Sequence, residues 1–351
     1  MKRWFDSSRY SMRLVVVILL CFVAIGNTCA DSYALIVGGS GGDAAYQSKF
    51  EDWGTRLQRA LIDIAEFRET HVVRMMENIK HGTQTHCVST IENLKTYFDQ
   101  TAQKITNDDI FFVFLIGHGS YLREISKFHL PGPDLTAAEL NTFLANVNAK
   151  LIVVVNASSS SAGFINELSG LRRVICTATH NVNEINATEF MEFFLCGLEE
   201  GSADQNRDER VSVLEACRQA ALLTEQWYGE QGLLATEHAI LDDNGDGLGT
   251  RLFVQEEDRD PSALASHSNL NEDGAIADRC FIKEFSFPPA VPRELIDTYL
   301  SLMNQIDDWK RKKSSMEVDP YYQELETLLI EAAKTNRAIK RHFANHETSA
   351  Q

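Results

Sequence analysis

From residue 33 to about residue 200, short apolar runs alternate with stretches whose apolar residues recur every three or four positions. The short runs are Tyr33–Val37, Val72–Met75, Ile110–Ile116, Leu151–Val155 and Val174–Thr177. Runs such as Ile110–Ile116, apolar at every position, predict strands covered on both faces. Between the first two, Tyr46, Phe50, Trp53, Leu57, Leu61 and Ile64 step at helical spacing, and Val88, Ile91, Leu94 and Phe98 do so before the third. Thr136 with Glu139 forms a capping box ahead of Leu140, Phe143, Leu144 and Val147. Phe190, Phe193, Phe194 and Leu198 make a further stripe. Strand and helix in alternation predict an α/β fold with a mainly parallel sheet sandwiched between helices.

The pattern changes after residue 254. Residues 255–290 are polar and irregular and read as a linker or surface excursion. Residues 291–345 then predict a helical hairpin. Leu295, Tyr299, Leu302, Ile306 and Trp309 fall on one face, and Leu325, Leu328, Leu329 and Ala332 follow a break at 311–320. Such a hairpin packs on the core or serves a partner. The Lys310–Lys313 run reads as a solvated linker.

Residues 1–30 have the form of an export signal. Lys2, Arg3, Arg9 and Arg13 precede an apolar run from Leu14 to Ile25, and small residues lead to Ala30. The run is shorter than the ~20 residues of a membrane span, so cleavage near Ala30 is expected, with a retained anchor as the alternative. An exported protein, periplasmic or secreted, with no integral span follows. The formal charge of −17 becomes about −20 on cleavage, which argues against nucleic acid as a partner. Cys87, Cys176, Cys196, Cys217 and Cys280 would remain, with no spacing that predicts a particular disulfide.

In open parallel sheets chemistry collects at the carboxyl ends of strands, and three such ends are unusual here. Gly38–Asp43 is glycine-rich but lacks the Gly-x-Gly-x-x-Gly spacing of a dinucleotide loop. His118 lies between two glycines directly after Ile110–Ile116, where its ring can act as a general base. Four serines, Ser158–Ser161, follow Leu151–Asn156, and a hydroxyl beside a histidine on a neighbouring strand forms a nucleophile–base pair. The plainer reading of the serines is helix capping. Glu184 or Asn186 could line a pocket, and His180 and His238 are solitary candidates as ligands.

A buried strand ending in His-Gly, followed by a strand ending in Asn156-Ala157-Ser158-Ser159-Ser160, resembles the caspase/legumain cysteine peptidases. The resemblance spans roughly residues 32–250, with Lys127–Leu140 and Thr236–Gly247 similar to secreted bacterial members. It implies a caspase-like three-layer α/β/α sandwich, with His118 as the catalytic histidine and Ser158 at the position of the nucleophilic cysteine. A hydroxyl is a far weaker nucleophile than a thiolate, and Asn156 stands where the family often has an acid. Backbone amides of Gly119 and Ser158 are the expected oxyanion donors.

Residues 204–215 carry the ligand order of an EF-hand loop: Asp204, Asn206, Asp208, the carbonyl of Arg210, Ser212 and Glu215. The departure is Glu209 at the sixth position, usually glycine. A second loop places Asp242, Asn244 and Asp246 correctly, but its twelfth residue is Phe253, so it is a half-loop or an acidic turn. Calcium is the expected cofactor. Two functions follow: a calcium-stabilised module that binds a peptide or protein without cleaving it, or a hydrolase using Ser158 with His118 as base. The C-terminal helices offer a further surface for a partner.

Overall fold

The computed structural model describes residues 31–78, 86–253, 273–285, 287, 291–310 and 312–349. The expected export signal and most of the 255–290 span lie outside the described residues. An eight-stranded sheet runs in the order β12-β11-β9-β8-β4-β1-β2-β3. Its parallel part comprises β1 (Ser32–Gly38), β2 (Val72–Met76), β3 (His86–Val88), β4 (Ile110–Ile116), β8 (Leu151–Asn156) and β9 (Arg173–Thr177). The edge strands β11 (Ile240–Asp242) and β12 (Thr250–Arg251) run antiparallel.

The wholly apolar strands are explained by helices on both faces. Alternate residues Ala34, Ile36, Phe112, Phe114, Val153 and Val155 face one core. That core is closed by α1 (Ala44–Arg59), α5 (Phe190–Glu199) and α6 (Val213–Glu230), through Trp53, Phe194 and Ala220 among others. Leu35, Val37, Phe111, Val113 and Val154 face the other, under α2 (Ile91–Thr101), α3 (Ala137–Ala145) and α4 (Gly163–Leu168). Each phenylalanine so buried contributes roughly 1.5–3 kcal/mol. The mixed α/β architecture with a mainly parallel sheet is thus present.

Helix starts follow local chemistry. The Asp43 carboxylate accepts from the amides of Ala45 and Tyr46 and starts α1. The expected Thr136–Glu139 capping box starts α3. Apolar periodicity did not reveal two small sheets, because their strands are short. One joins β5 (Gly119–Leu122), β6 (Ile125–Phe128) and β7 (Leu135–Thr136) directly after His118. The other pairs β10 (Val211–Ser212) with β13 (Phe281–Lys283), so the span read as an irregular linker supplies a strand.

The C-terminal helices α7 (Arg293–Lys310) and α8 (Val318–Ser349) form the expected hairpin, packed through Tyr299, Met303, Ile306, Ala332 and Ile339. Pro320 belongs to the first turn of α8 rather than to a break, because a missing N–H costs nothing there. Arg210 ties the hairpin to the body: its guanidinium donates to Asp208 (2.9 Å) and Asp307 of α7 (3.2 Å). No helix among the described residues is long and apolar enough to cross a membrane.

Candidate functional site

Strands β4 and β8 are direct neighbours, pairing from Ile110 with Leu151 to Leu115 with Asn156. The histidine and the serine loop therefore emerge at one rim of the sheet. His118 is half-buried, its ring edge-on to Tyr46 (4.6 Å between centroids) and Phe50 (5.1 Å) of α1. Burial pushes its pKa below the ordinary imidazole value, and the nearby His129 acts in the same direction against the opposing pull of Asp43. The ring is thus biased toward the neutral form that a base requires.

Ser158 is placed differently from a nucleophile. It is 0 % exposed, and its hydroxyl donates to Asn156 Oδ1 at 2.7 Å. Its amide donates to the same oxygen at 3.1 Å. Gly119 is also engaged: its N–H donates to Ser159 Oγ at 3.1 Å, and Ser159 Oγ donates to the Gly119 carbonyl at 3.2 Å. Both amides expected to serve an oxyanion are therefore committed within the chain. Gly119 itself is required by close approach, since a Cβ there would lie 2.5 Å from the Ser159 carbonyl and 2.8 Å from Ser158 Oγ.

The open space at this rim is a cleft of about 510 Å³, lined by Ser40, His118, Gly119, His129, Asp134 and Ser159. Ser158 does not line it. The sequence carries no signal for His129 and does not single out Ser159 from its neighbours. His129 enters because β6 folds back on β5, which brings the His129 amide to the His118 carbonyl and its Nε2 to 2.9 Å from Ser120 Oγ. Ser159 was one serine among four, and its position under Gly119 depends on the turn. In that turn Ser160 has φ of 53° and a buried hydroxyl without a partner.

The other strand ends resolve into distinct roles. The Gly38–Asp43 loop is closed by a carboxylate: Glu77 accepts from the Gly41 amide (3.0 Å), Ser40 Oγ (2.9 Å) and Gln47 Nε2 (3.1 Å). Those donors are consumed by an anion of the chain itself, which opposes phosphate there. Glu184 holds His238 Nδ1 at 2.6 Å and the His180 amide at 2.8 Å, joining three residues that the sequence offered separately. Asn186 has no such role among the described contacts.

At the first acidic loop Glu209 has φ of 73°, the left-handed conformation that glycine normally supplies at the sixth position. The side chains, however, turn to their own loop. Asp204 accepts from the amides of Asp208 and Glu209, and Asn206 Oδ1 from that of Asp208. Asp208 is clamped by the Arg210 amide and guanidinium. Glu215 forms a capping box with Ser212 at the start of α6 and accepts from the Asn206 amide. In the second loop Asp242 accepts from Gly245 and Gly247, Asn244 from Asp246, and Asp246 from Leu248. Among the described residues no three His, Cys, Asp or Glu side chains are grouped as they would be around a metal ion.

No protein-family model matches the chain, and comparison with curated proteins finds no match.

Proposed function

We propose that the chain is a caspase/legumain-like peptidase homologue that binds a peptide or protein segment at the His118 cleft without cleaving it. The observation that carries this reading is the internal commitment of the Ser158 hydroxyl and of the Ser158 and Gly119 amides. A serine nucleophile needs a base within reach and free oxyanion donors, and here each group already has a partner. The neighbouring β4 and β8 ends and the open cleft support a retained binding groove.

The competing reading is an active hydrolase with Ser158 as nucleophile and His118 as base. What favours it is the lowered pKa of His118. A peptide library incubated with wild type, Ser158→Cys and His118→Ala separates the two. We expect no cleavage by any of the three, with peptide binding visible as a shift of the His118 ring signal in nuclear magnetic resonance. Cleavage by wild type that His118→Ala abolishes would overturn the binding reading and establish the hydrolase.

Calcium and export belong to the same proposal. The ligand order of residues 204–215 and the left-handed Glu209 support calcium, which Asp204, Asn206, Asp208, the Arg210 carbonyl, Ser212 and Glu215 would hold. The side chains of Asp208 and Glu215 would have to leave their present partners to do so. The half-loop Asp242, Asn244 and Asp246 has a weaker claim, since its acceptors serve the turn itself. The basic-then-apolar leader at residues 1–30 supports export to a periplasm or the exterior.

A further inference from the structure

Among the described residues the small sheet β5-β6-β7 ends on its β5 side in an edge, since β5 pairs there with β6 alone. The hairpin turn determines which backbone groups face that edge. Arg123 and Glu124 have φ of 53° and 65°, the signature of a two-residue type I′ loop. Leu122 and Ile125 flank that loop as a hydrogen-bonded pair, and bonded and non-bonded pairs then alternate along the ladder. The pairs Tyr121–Ser126 and Gly119–Phe128 are therefore non-bonded, with their N–H and C=O groups turned away from each other.

Two contacts outside the hairpin fix the same phase. The His129 amide donates to the His118 carbonyl at 3.0 Å, four residues back from the Leu122–Ile125 pair. Gly119 turns both its N–H and its C=O outward to Ser159 Oγ. Tyr121, two residues on, directs its own N–H and C=O the same way, where no described strand lies. Tyr121, Leu122 and Ile125 are 41 %, 66 % and 47 % exposed, so apolar side chains surround this open donor–acceptor pair. Edge strands are usually protected by lysine, proline or a bulge, and the outward-facing position here carries none of these.

We propose that β5 accepts an extended segment of a partner protein as an added strand, paired through the N–H and C=O of Tyr121. A donor and an acceptor on one edge residue are met together by the backbone of another strand, not by a helix, whose backbone groups are already paired. An apolar side chain of the segment rests on Leu122, whose cross-strand neighbour is Ile125. Ser159 marks the inner end of the added strand, because its hydroxyl both donates to and accepts from Gly119 as a paired backbone would. Beyond Ser159 the segment enters the cleft beside His118. The inference rests on the peptide-binding reading and names the partner's form: extended, with an apolar residue beside Leu122.

The test titrates the full chain with an acetylated, amidated octapeptide of alternating valine and threonine, and with the same peptide N-methylated at alternate residues in each phase. The Tyr121 amide and His118 ring signals are followed separately. The peptide is expected to shift the Tyr121 amide, and N-methylation in one phase is expected to weaken binding at least tenfold. Tyr121→Pro is expected to do the same while the hairpin stays folded, since proline is tolerated where the N–H faces out from an edge. Tyr121→Ala, which keeps the backbone donor, should bind within about threefold of wild type by the same backbone logic. Ser159→Ala, which frees the Gly119 pair, should bind several-fold tighter. A His118 shift without a Tyr121 shift overturns the added strand and leaves peptide binding standing. Equal binding of both N-methylated forms likewise overturns it, whatever Tyr121→Pro does to the fold. Silence at both signals at millimolar peptide overturns both readings.

Discussion

The Asn156 carboxamide oxygen accepts from both the amide and the hydroxyl of Ser158, at 3.1 and 2.7 Å, inside a site from which solvent is excluded. One acceptor thus satisfies two buried donors of the residue that the family resemblance sets at the nucleophile position. The arrangement makes Ser158 a structural element of the turn between β8 and α4.

Asn156→Ala leaves both Ser158 donors without a partner. Each buried unsatisfied group costs roughly 1–3 kcal/mol, partly offset here because the Asn156 Nδ2, itself without a partner, is removed as well. The expected net loss is about 1–3 kcal/mol, read as a lower urea midpoint at unchanged slope. An unchanged midpoint would show that Ser158 finds another acceptor and that the turn does not depend on Asn156.

The sheet was legible because the runs Ile110–Ile116 and Leu151–Val155 at its centre are apolar at every position, a pattern that coverage on both faces explains. The same pattern fixed β4 and β8 as carriers of His118 and the serine loop. Their adjacency needed the topology, which periodicity does not contain. The burial of Ser158 was not legible, since a serine run reads alike whether its hydroxyls face a cleft or a neighbouring asparagine. Glu215 illustrates a different limit. One glutamate satisfies both the twelfth position of a calcium loop and the third position of a capping box with Ser212, and the structure uses the second. Strands as short as β10 and β13 carry too few residues for a period to show.

Glu237 gives the fold a pH dependence of defined sign. Burial raises its pKa from the ordinary 4.5 to about 7, against the opposing hydrogen bonds from the Glu189 and Phe190 amides and from Tyr228. An acid whose folded pKa lies above its unfolded value favours the folded state when protonated. Its contribution is full below about pH 4.5 and declines until the folded form ionises near pH 7. The span corresponds to up to roughly 3 kcal/mol. Glu184, Glu192 and Asp109, held below their ordinary values, act in the opposite sense at lower pH. The comparison is therefore between wild type and Glu237→Gln. Unfolding free energies measured from pH 5 to 7.5 should fall with pH more steeply in wild type. Parallel curves would mean that Glu237 is ionised throughout the range.

Calcium is expected to act through the first loop before the second. Millimolar calcium should raise the thermal midpoint of wild type, and isothermal titration should show binding that Glu215→Gln removes and Asp246→Asn leaves in place. Glu215→Gln keeps the α6 capping box, which glutamine also forms, but loses the acceptor of the Asn206 amide, so its stability without calcium should fall by roughly 1 kcal/mol. Heat at neither loop would leave residues 204–215 as a turn closed by its own amides.

Arg210 is expected to be the residue on which docking of the C-terminal hairpin depends. Its side chain is 5 % exposed, bridges Asp208 and Asp307, and lies over the rings of Phe281 (4.0 Å) and Phe285 (4.8 Å). A planar guanidinium meets all four at once, with two charge-assisted hydrogen bonds in its plane and aromatic rings against its faces. Lysine supplies the charge without the plane. Arg210→Ala leaves the Asp208 carboxylate largely buried without its cation, and breaking a buried pair in this way costs roughly 3–5 kcal/mol. Asp307 is 28 % exposed and recovers some hydration, which places the expected cost toward the lower end of that range. Arg210→Lys should recover less than half of it. Loss of the bridge should also free α7, so limited proteolysis should cut between residues 285 and 293 faster in Arg210→Ala than in wild type. Equal cutting with reduced stability would place the cost in the acidic loop and leave the hairpin held by its apolar contacts alone.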